Sequence, residues 1–134
     1  MRREPFVMRQ KNYICGLEAA LDVIGGKWKG LILWALRSKA QRFGELRRSV
    51  EGISEKMLIQ HLKEMQADGI VTRKDFKEVP PRVEYALTPF GTSLYVAVAP
   101  LCDWGTLHMK RIEVRKETNE AKTRQKALAE HARQ

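Results

Sequence analysis

The sequence predicts a mainly helical α+β fold: a winged helix-turn-helix with a two-stranded β-hairpin wing and N- and C-terminal helices that pair two copies. Three observations predict it. Four short helical patterns run in succession up to Asp68-Gly69, and the third and fourth are joined by a tight turn at Glu51-Gly52-Ile53. The hydrophobic period then drops from that of a helix to two for a pair of strands. A last long helical pattern opens at Thr88-Pro89.

The elements follow in order. Residues 1–13 are polar and basic and read as an arm. The first helix covers about 16–23, because Leu17, Ala20, Leu21 and Ile24 fall at i, i+3, i+4 and i+7 on one face. Gly25 and Gly26 end it, since glycine accepts the left-handed backbone that a helix end requires. The second helix, about 27–36, carries Trp28, Leu31, Ile32, Leu33, Trp34, Ala35 and Leu36. It is apolar nearly all round, so the expectation is a buried central helix. A broken basic stretch follows, and a third helix at about 43–50 buries Phe43 and Leu46. Ser54 caps the fourth helix, its hydroxyl placed to accept an orphan amide hydrogen bond.

Residues 70–77 and 82–87 alternate as strands, and Pro80-Pro81 stiffens the connection by fixing φ and removing donors. Thr88 caps the last helix, with Pro89 at its first position. Leu94, Val98, Leu101 and Leu107 form an apolar seam with Trp104 beside it, and Pro100 is expected to kink or restart the helix. Residues 110–134, rich in Lys, Arg, Glu, Ala and Gln, read as either a solvated helix or a disordered tail.

Composition narrows the function. The chain has 134 residues, 43% hydrophobic and 31% charged, which suits one soluble domain. No apolar run approaches a membrane span, and no apolar signal core follows the basic N-terminus, so a cytoplasmic protein with no membrane partner is expected. Two cysteines, Cys15 and Cys102, fit a reducing compartment. The three histidines and two cysteines are scattered without ligand spacing, so no metal and no cofactor is expected. No nucleophile-base arrangement, carboxylate pair or nucleotide fingerprint argues for an enzyme. The net charge is +9, of which the tail from Lys110 carries +4, with eight basic and four acidic residues. A body that is basic in its own right attracts polyanions, nucleic acid foremost.

The fourth helix carries the constellation. Leu58, Leu62 and Met65 mark an inner face, while Lys56, Gln60, Lys63 and Ala67 lie opposite, with Met57 beside them and Ile59 at the edge. A major groove about 12 Å wide admits one such helix; Gln suits an adenine edge, Lys a guanine or phosphate, and Ile a thymine methyl. Arg42, Arg47 and Arg48 before the helix, with Lys77 and Arg82 on the hairpin tip, are the candidate phosphate contacts.

The segments GGKW at 25–28, RFGELRR at 42–48, GIS at 52–54, DGIV at 68–71, VPPRVEYALTPFG at 79–91 and DWG at 103–105 together resemble the HxlR-type family of bacterial winged-helix regulators. The resemblance covers about residues 14–108, in order. It implies a homodimer, cytoplasmic binding of double-stranded DNA and control of transcription, as a repressor or an activator; a two-fold dimer in turn favours an inverted-repeat operator. It implies that the helix over about 54–67 is the recognition helix in the major groove and 79–82 the wing, which with Lys77 spans about 77–82 and is expected on the backbone or minor groove. A dimer interface is expected from Leu17, Leu94, Val98, Leu101 and Trp104. Cys15 stands where that family often has a cysteine, and it is the candidate redox-sensing residue, open to an oxidant or small-molecule effector; Cys102 reads as packing. Trp28, Trp34 and Trp104 read as core or dimer contacts. The alternative function is a winged-helix module that binds protein and has lost DNA binding.

Overall fold

The computed structural model describes residues 12–133. The arm expected over 1–13 therefore falls outside the described residues except for Asn12 and Tyr13. The order is α1 (Gly16–Ile24), α2 (Gly26–Ala35), β1 (Gln41–Arg42), α3 (Phe43–Ser49), α4 (Glu55–Ala67), β2 (Val71–Asp75), β3 (Val83–Leu87) and α5 (Pro89–Ala132). By contact the chain divides inside α5 into two compact units, one ending at Val96 and the other starting at Ala97.

In the first unit an aliphatic core joins α2, α3, α4 and the base of the hairpin. Ile32, Leu33, Leu46, Val50, Leu58, Leu62 and Ile70 are almost wholly withdrawn from water. Burying one such side chain contributes about 1.5–3 kcal/mol, so these residues fix which face of each helix turns inward. The aromatics stay out of this core, contrary to one of the alternatives for the tryptophans. Trp28 is half-buried with the Lys27 ammonium 4.4 Å from its ring centroid, and Trp34 is exposed beneath the Arg37 guanidinium at 4.1 Å. Accordingly α2 is buried on one side, where Ile32, Leu33 and Ala35 lie, while Leu31 and Trp34 face outward. The expected all-round burial fails because only one side of α2 meets α3 and α4.

Gly25 ends α1 in the left-handed region at φ 52°, its amide donating 2.9 Å to the Leu21 carbonyl. No residue of α1 is buried, and Leu17 and Leu21 are exposed. The sheet has three strands in the order β1-β3-β2, all antiparallel, where the sequence indicated two. The added strand is Gln41–Arg42, pairing Gln41 with Tyr85 and Arg42 with Glu84. Gln41 also donates its side-chain amide 2.6 Å to the Ala35 carbonyl, which satisfies an orphan acceptor at the end of α2.

Helix α4 runs into β2 through Gly69 at φ 76°, and the start of α5 is locked onto this junction. Thr88 Oγ1 donates to the carbonyls of Gly69 (2.5 Å) and Ile70 (3.2 Å) and accepts from the Gly91 amide at 2.9 Å, as an N-cap should. Gly91 is buried, and a Cβ there would stand 2.1 Å from the Ile70 carbonyl oxygen. Glycine is required because backbone approaches backbone.

α5 is a single helix of 44 residues that runs through Pro100 without restarting. Residues 110–132 take the solvated-helix alternative, and every side chain described there is exposed. No helix among the described residues is long and apolar enough to cross a membrane.

Candidate nucleic-acid interface

Helix α4 is the best-defined element that could enter a groove. Ser54 caps it, its Oγ accepting 3.1 Å from the Met57 amide. Leu58, Leu62 and Met65 are buried, and Ile53 anchors the preceding turn. That burial sets the rotation of the helix and leaves Ser54, Lys56, Ile59, Gln60 and Lys63 on the exposed side, with Met57 half-buried beside them. Ala67 is also only half-exposed. Gln60 makes a long contact to Glu64 (Nε2 to Oε1, 3.5 Å), so its amide is held only weakly.

A second constraint on α4 was not visible in the sequence. Lys29 of α2 meets Glu64 at 2.6 Å, with only 11% and 23% of their side chains accessible. A charge-assisted contact this short and this sheltered ties α2 to the middle of α4. The two residues stand 35 positions apart, so no local pattern announces the pair. His61, half-buried, has Nδ1 3.8 Å from the same Glu64. It therefore belongs to the packed flank of α4.

The cations around α4 fall into two groups. Arg42, Arg47 and Arg48 are exposed, as is Lys77 on the wing. Arg42 precedes α3, its backbone amide donating 2.9 Å to Glu45 Oε1, and Arg47 approaches Glu55 at 3.7 Å across the turn. Lys77 takes φ 52° and donates its amide 2.8 Å to Asp75 Oδ1, which turns the chain into the tip. Arg82 is different. Its guanidinium lies 3.6 Å from the Phe76 ring centroid, with Glu78 at 3.3 Å and Glu84 at 3.8 Å. The stiffness of Pro80-Pro81 is therefore not all that holds Arg82, whose side chain is engaged inside the wing. Lys74 also sits over Phe76, at 4.6 Å, and in register Glu84 lies between Lys74 of β2 and Arg42 of β1. Exposed Arg73 and Lys74 are cations that sequence reasoning passed over as ordinary strand positions.

The remaining candidates lie elsewhere. Cys15 is an exposed free thiol at the N-cap of α1, its carbonyl accepting 3.3 Å from the Ala19 amide. Cys102 is also a free and exposed thiol, so the packing role expected for it is not one within this chain. Of the expected interface residues, Leu17, Leu101 and Trp104 are exposed while Leu94 and Val98 are half-buried. Leu107 is among the most exposed apolar side chains, at 79%. Among the described residues no group of three or more His, Cys, Asp or Glu is gathered as metal ligands would be.

The comparisons agree with this architecture. The HxlR-like helix-turn-helix family model matches residues 23–113. The HTH-type transcriptional regulator YkvN of Bacillus subtilis (strain 168) is 48% identical over 95 residues, covering 71% of this chain and 80% of that protein. YtcD of the same organism, also named an HTH-type transcriptional regulator, is 45% identical over 105 residues, or 78% of this chain and 83% of that one. Among solved structures, the redox regulator HypR in its reduced form superposes with a TM-score of 0.69 at 42% identity, covering 74% of this chain and 98% of that one.

Proposed function

The chain belongs to the HxlR-like helix-turn-helix family, and from that premise we propose that it is a transcriptional regulator that binds double-stranded DNA as a two-fold homodimer, with α4 in the major groove. The observation that carries the reading is the division of α4: Leu58, Leu62 and Met65 inward, Lys56, Ile59, Gln60 and Lys63 outward at the N-terminal and middle turns. A helix held from behind in this way presents its polar face at a fixed angle, which base readout requires. Exposed Arg47, Arg48, Arg73 and Lys77 supply phosphate contacts around it.

Two copies of α4 favour an inverted repeat whose half-sites lie about one helical turn, ~34 Å, apart. The second copy is proposed to cover the exposed Leu17, Leu101 and Trp104 together with Leu94 and Val98, an isologous contact. Light scattering at micromolar concentration is expected to give the mass of a dimer.

Gln60→Ala tests the reading face. It is expected to cost roughly 1–3 kcal/mol at each half-site of the preferred duplex and to relax discrimination at one base position. The measurement is binding to the chain's own upstream region and to a scrambled duplex. An equal loss on both, or no loss on either, removes α4 as the reader. The competing role, a protein-binding module, predicts no preference for any duplex.

A redox response at Cys15 is the second part of the proposal, supported by the exposure of the thiol and by the likeness to HypR, a redox regulator. Diamide is expected to weaken operator binding and reductant to restore it. A full response to diamide in Cys15→Ser would assign the effect to another residue.

A further inference from the structure

The family match ends at residue 113, but α5 continues for almost twenty more residues, and that extension has an order of its own. Arg111, Lys122 and Arg133 stand eleven residues apart, as do Arg115 and Lys126. Eleven residues make almost three helical turns, so positions in such a repeat stay on one face with little drift. At 100° per residue the five cations occupy an arc of about 60° along about 33 Å of helix. All five are exposed, and among the described residues none has an ion-pair partner. Glu113, Glu117 and Glu120 project from the far side, and Glu130 alone borders the stripe.

This placement works against the helix that carries it. Arg111 with Arg115 and Lys122 with Lys126 are like charges at i, i+4, which repel in an isolated helix. Opposite charges also stand at i, i+4 (Lys116 with Glu120, Glu120 with Arg124, Lys126 with Glu130), but among the described residues none closes to an ion pair, and no side chain of residues 110–133 is buried. A helix polar all round needs favourable pairs or an external partner to persist. A straight row of unpaired cations is relieved by a straight row of anions. Duplex DNA offers one, with a charge for about every 1.7 Å of axis.

We propose that residues 111–133 form a second, sequence-independent DNA contact, in which Arg111, Arg115, Lys122, Lys126 and Arg133 lie along a phosphate backbone. The inference rests on the reading of the chain as a DNA-binding protein and adds to it a surface outside the winged domain. A membrane surface fits less well. Only Ile112, Val114 and Leu128 are larger apolar residues in the extension, too few for the apolar face an interfacial helix inserts.

The test compares two full-length variants of equal charge. Lys122→Gln/Lys126→Gln removes two cations from the stripe; Lys116→Gln/Arg124→Gln removes two from outside it. Binding to a long random-sequence duplex and to the chain's own upstream region is measured over a salt series, with far-UV circular dichroism to verify the helix. The stripe variant is expected to lower the slope of log affinity against log salt by about 2 per chain, at about 0.9 per phosphate contact. The off-stripe variant should keep the parental slope. Preference for the upstream region over random sequence should survive in both, because phosphates carry no sequence information. Equal slopes for the two variants, or parental slopes for both, overturn the proposal. So does a stripe variant that keeps its DNA binding but loses binding to phosphatidylserine vesicles. If Gln60→Ala is silent and the parent ignores sequence, the α4 reading fails while the two slopes still decide the stripe. Arg111→Lys/Arg115→Lys should retain the slope, which separates charge from any structural role of those arginines.

Discussion

Helix α4 and the C-terminal stretch of α5 both present cations to solvent, and they are held in opposite ways. α4 has thirteen residues, three of them buried, a side-chain cap at Ser54 and the Lys29–Glu64 tie at 2.6 Å. Residues 110–133 have no buried side chain. The cations of α4 are aimed by packing, so each occupies a definite place relative to the core. Those of the tail are aligned by helix periodicity alone. Packing of the first kind suits selection among bases, where an error of about an ångström matters. Periodicity of the second kind suits attraction to a uniform line of charge. A basic helix is therefore read for function by what holds it, before its charge is counted.

Stability measurements in denaturant, at one protein concentration, sharpen this contrast. The largest effect is expected at the joint that positions the back of α4. Gly91→Ala drives a Cβ to 2.1 Å from the Ile70 carbonyl oxygen, where only backbone displacement relieves the clash. A loss above about 4 kcal/mol is expected, the range reserved for severe backbone or core disruption. A loss under ~1 kcal/mol would show that the joint yields. Next comes Leu58→Ala, which empties a fully buried site beneath α4. It should cost about 2–5 kcal/mol, depending on how far the core collapses. Ser54→Ala removes the cap of the same helix and is expected to cost about 0.5–2 kcal/mol. Leu128→Ala, on the exposed tail, should change stability by no more than about 0.5 kcal/mol. A cost at Leu128 comparable to that at Leu58 would mean that a partner covers the tail, and the contrast between the two helices would dissolve.

The elements that sequence reasoning located are those whose signals are local. The buried face of α4 follows from Leu58, Leu62 and Met65 at helical spacing, the hairpin from alternation, and both helix starts from Ser54 and Thr88. What escaped it depends on pairing across distance. Gln41–Arg42 is too short to show a period and is a strand only because β3 lies alongside. Lys29 reads as one more surface cation until α2 and α4 cross. Arg82 is a local exception: Glu84 stands two residues on, while Phe76 and Glu78 reach it through the turn that Lys77 begins, whose geometry alternation does not show. Of the two effects expected of Pro100, a restart of the helix does not occur. A proline removes one hydrogen bond, and long helical stretches on both sides carry the helix past it. On the wing, Arg73 is exposed, Lys74 is exposed but lies over Phe76, and Arg82 is half-buried against Phe76, Glu78 and Glu84, an ordering that alternation along the strands does not carry.

The knot around Thr88 has a mechanical consequence. Its hydroxyl clamps Gly69 and Ile70, while Gly91 presses the first turn of α5 against the same peptide. Gly69 follows the C-terminal cap of α4 directly, and Ile70 leads straight into β2. Three elements thus share one rivet, and there is no slack of even a methyl group in it. A torque applied to the first turn of α5 cannot be absorbed there as a hinge would absorb it. It is delivered to the trailing end of α4 and to the root of the wing at the same moment. Such a joint couples α4 and the root of the β2–β3 hairpin to the first turn of α5, so the proposed reading helix and wing share one mounting.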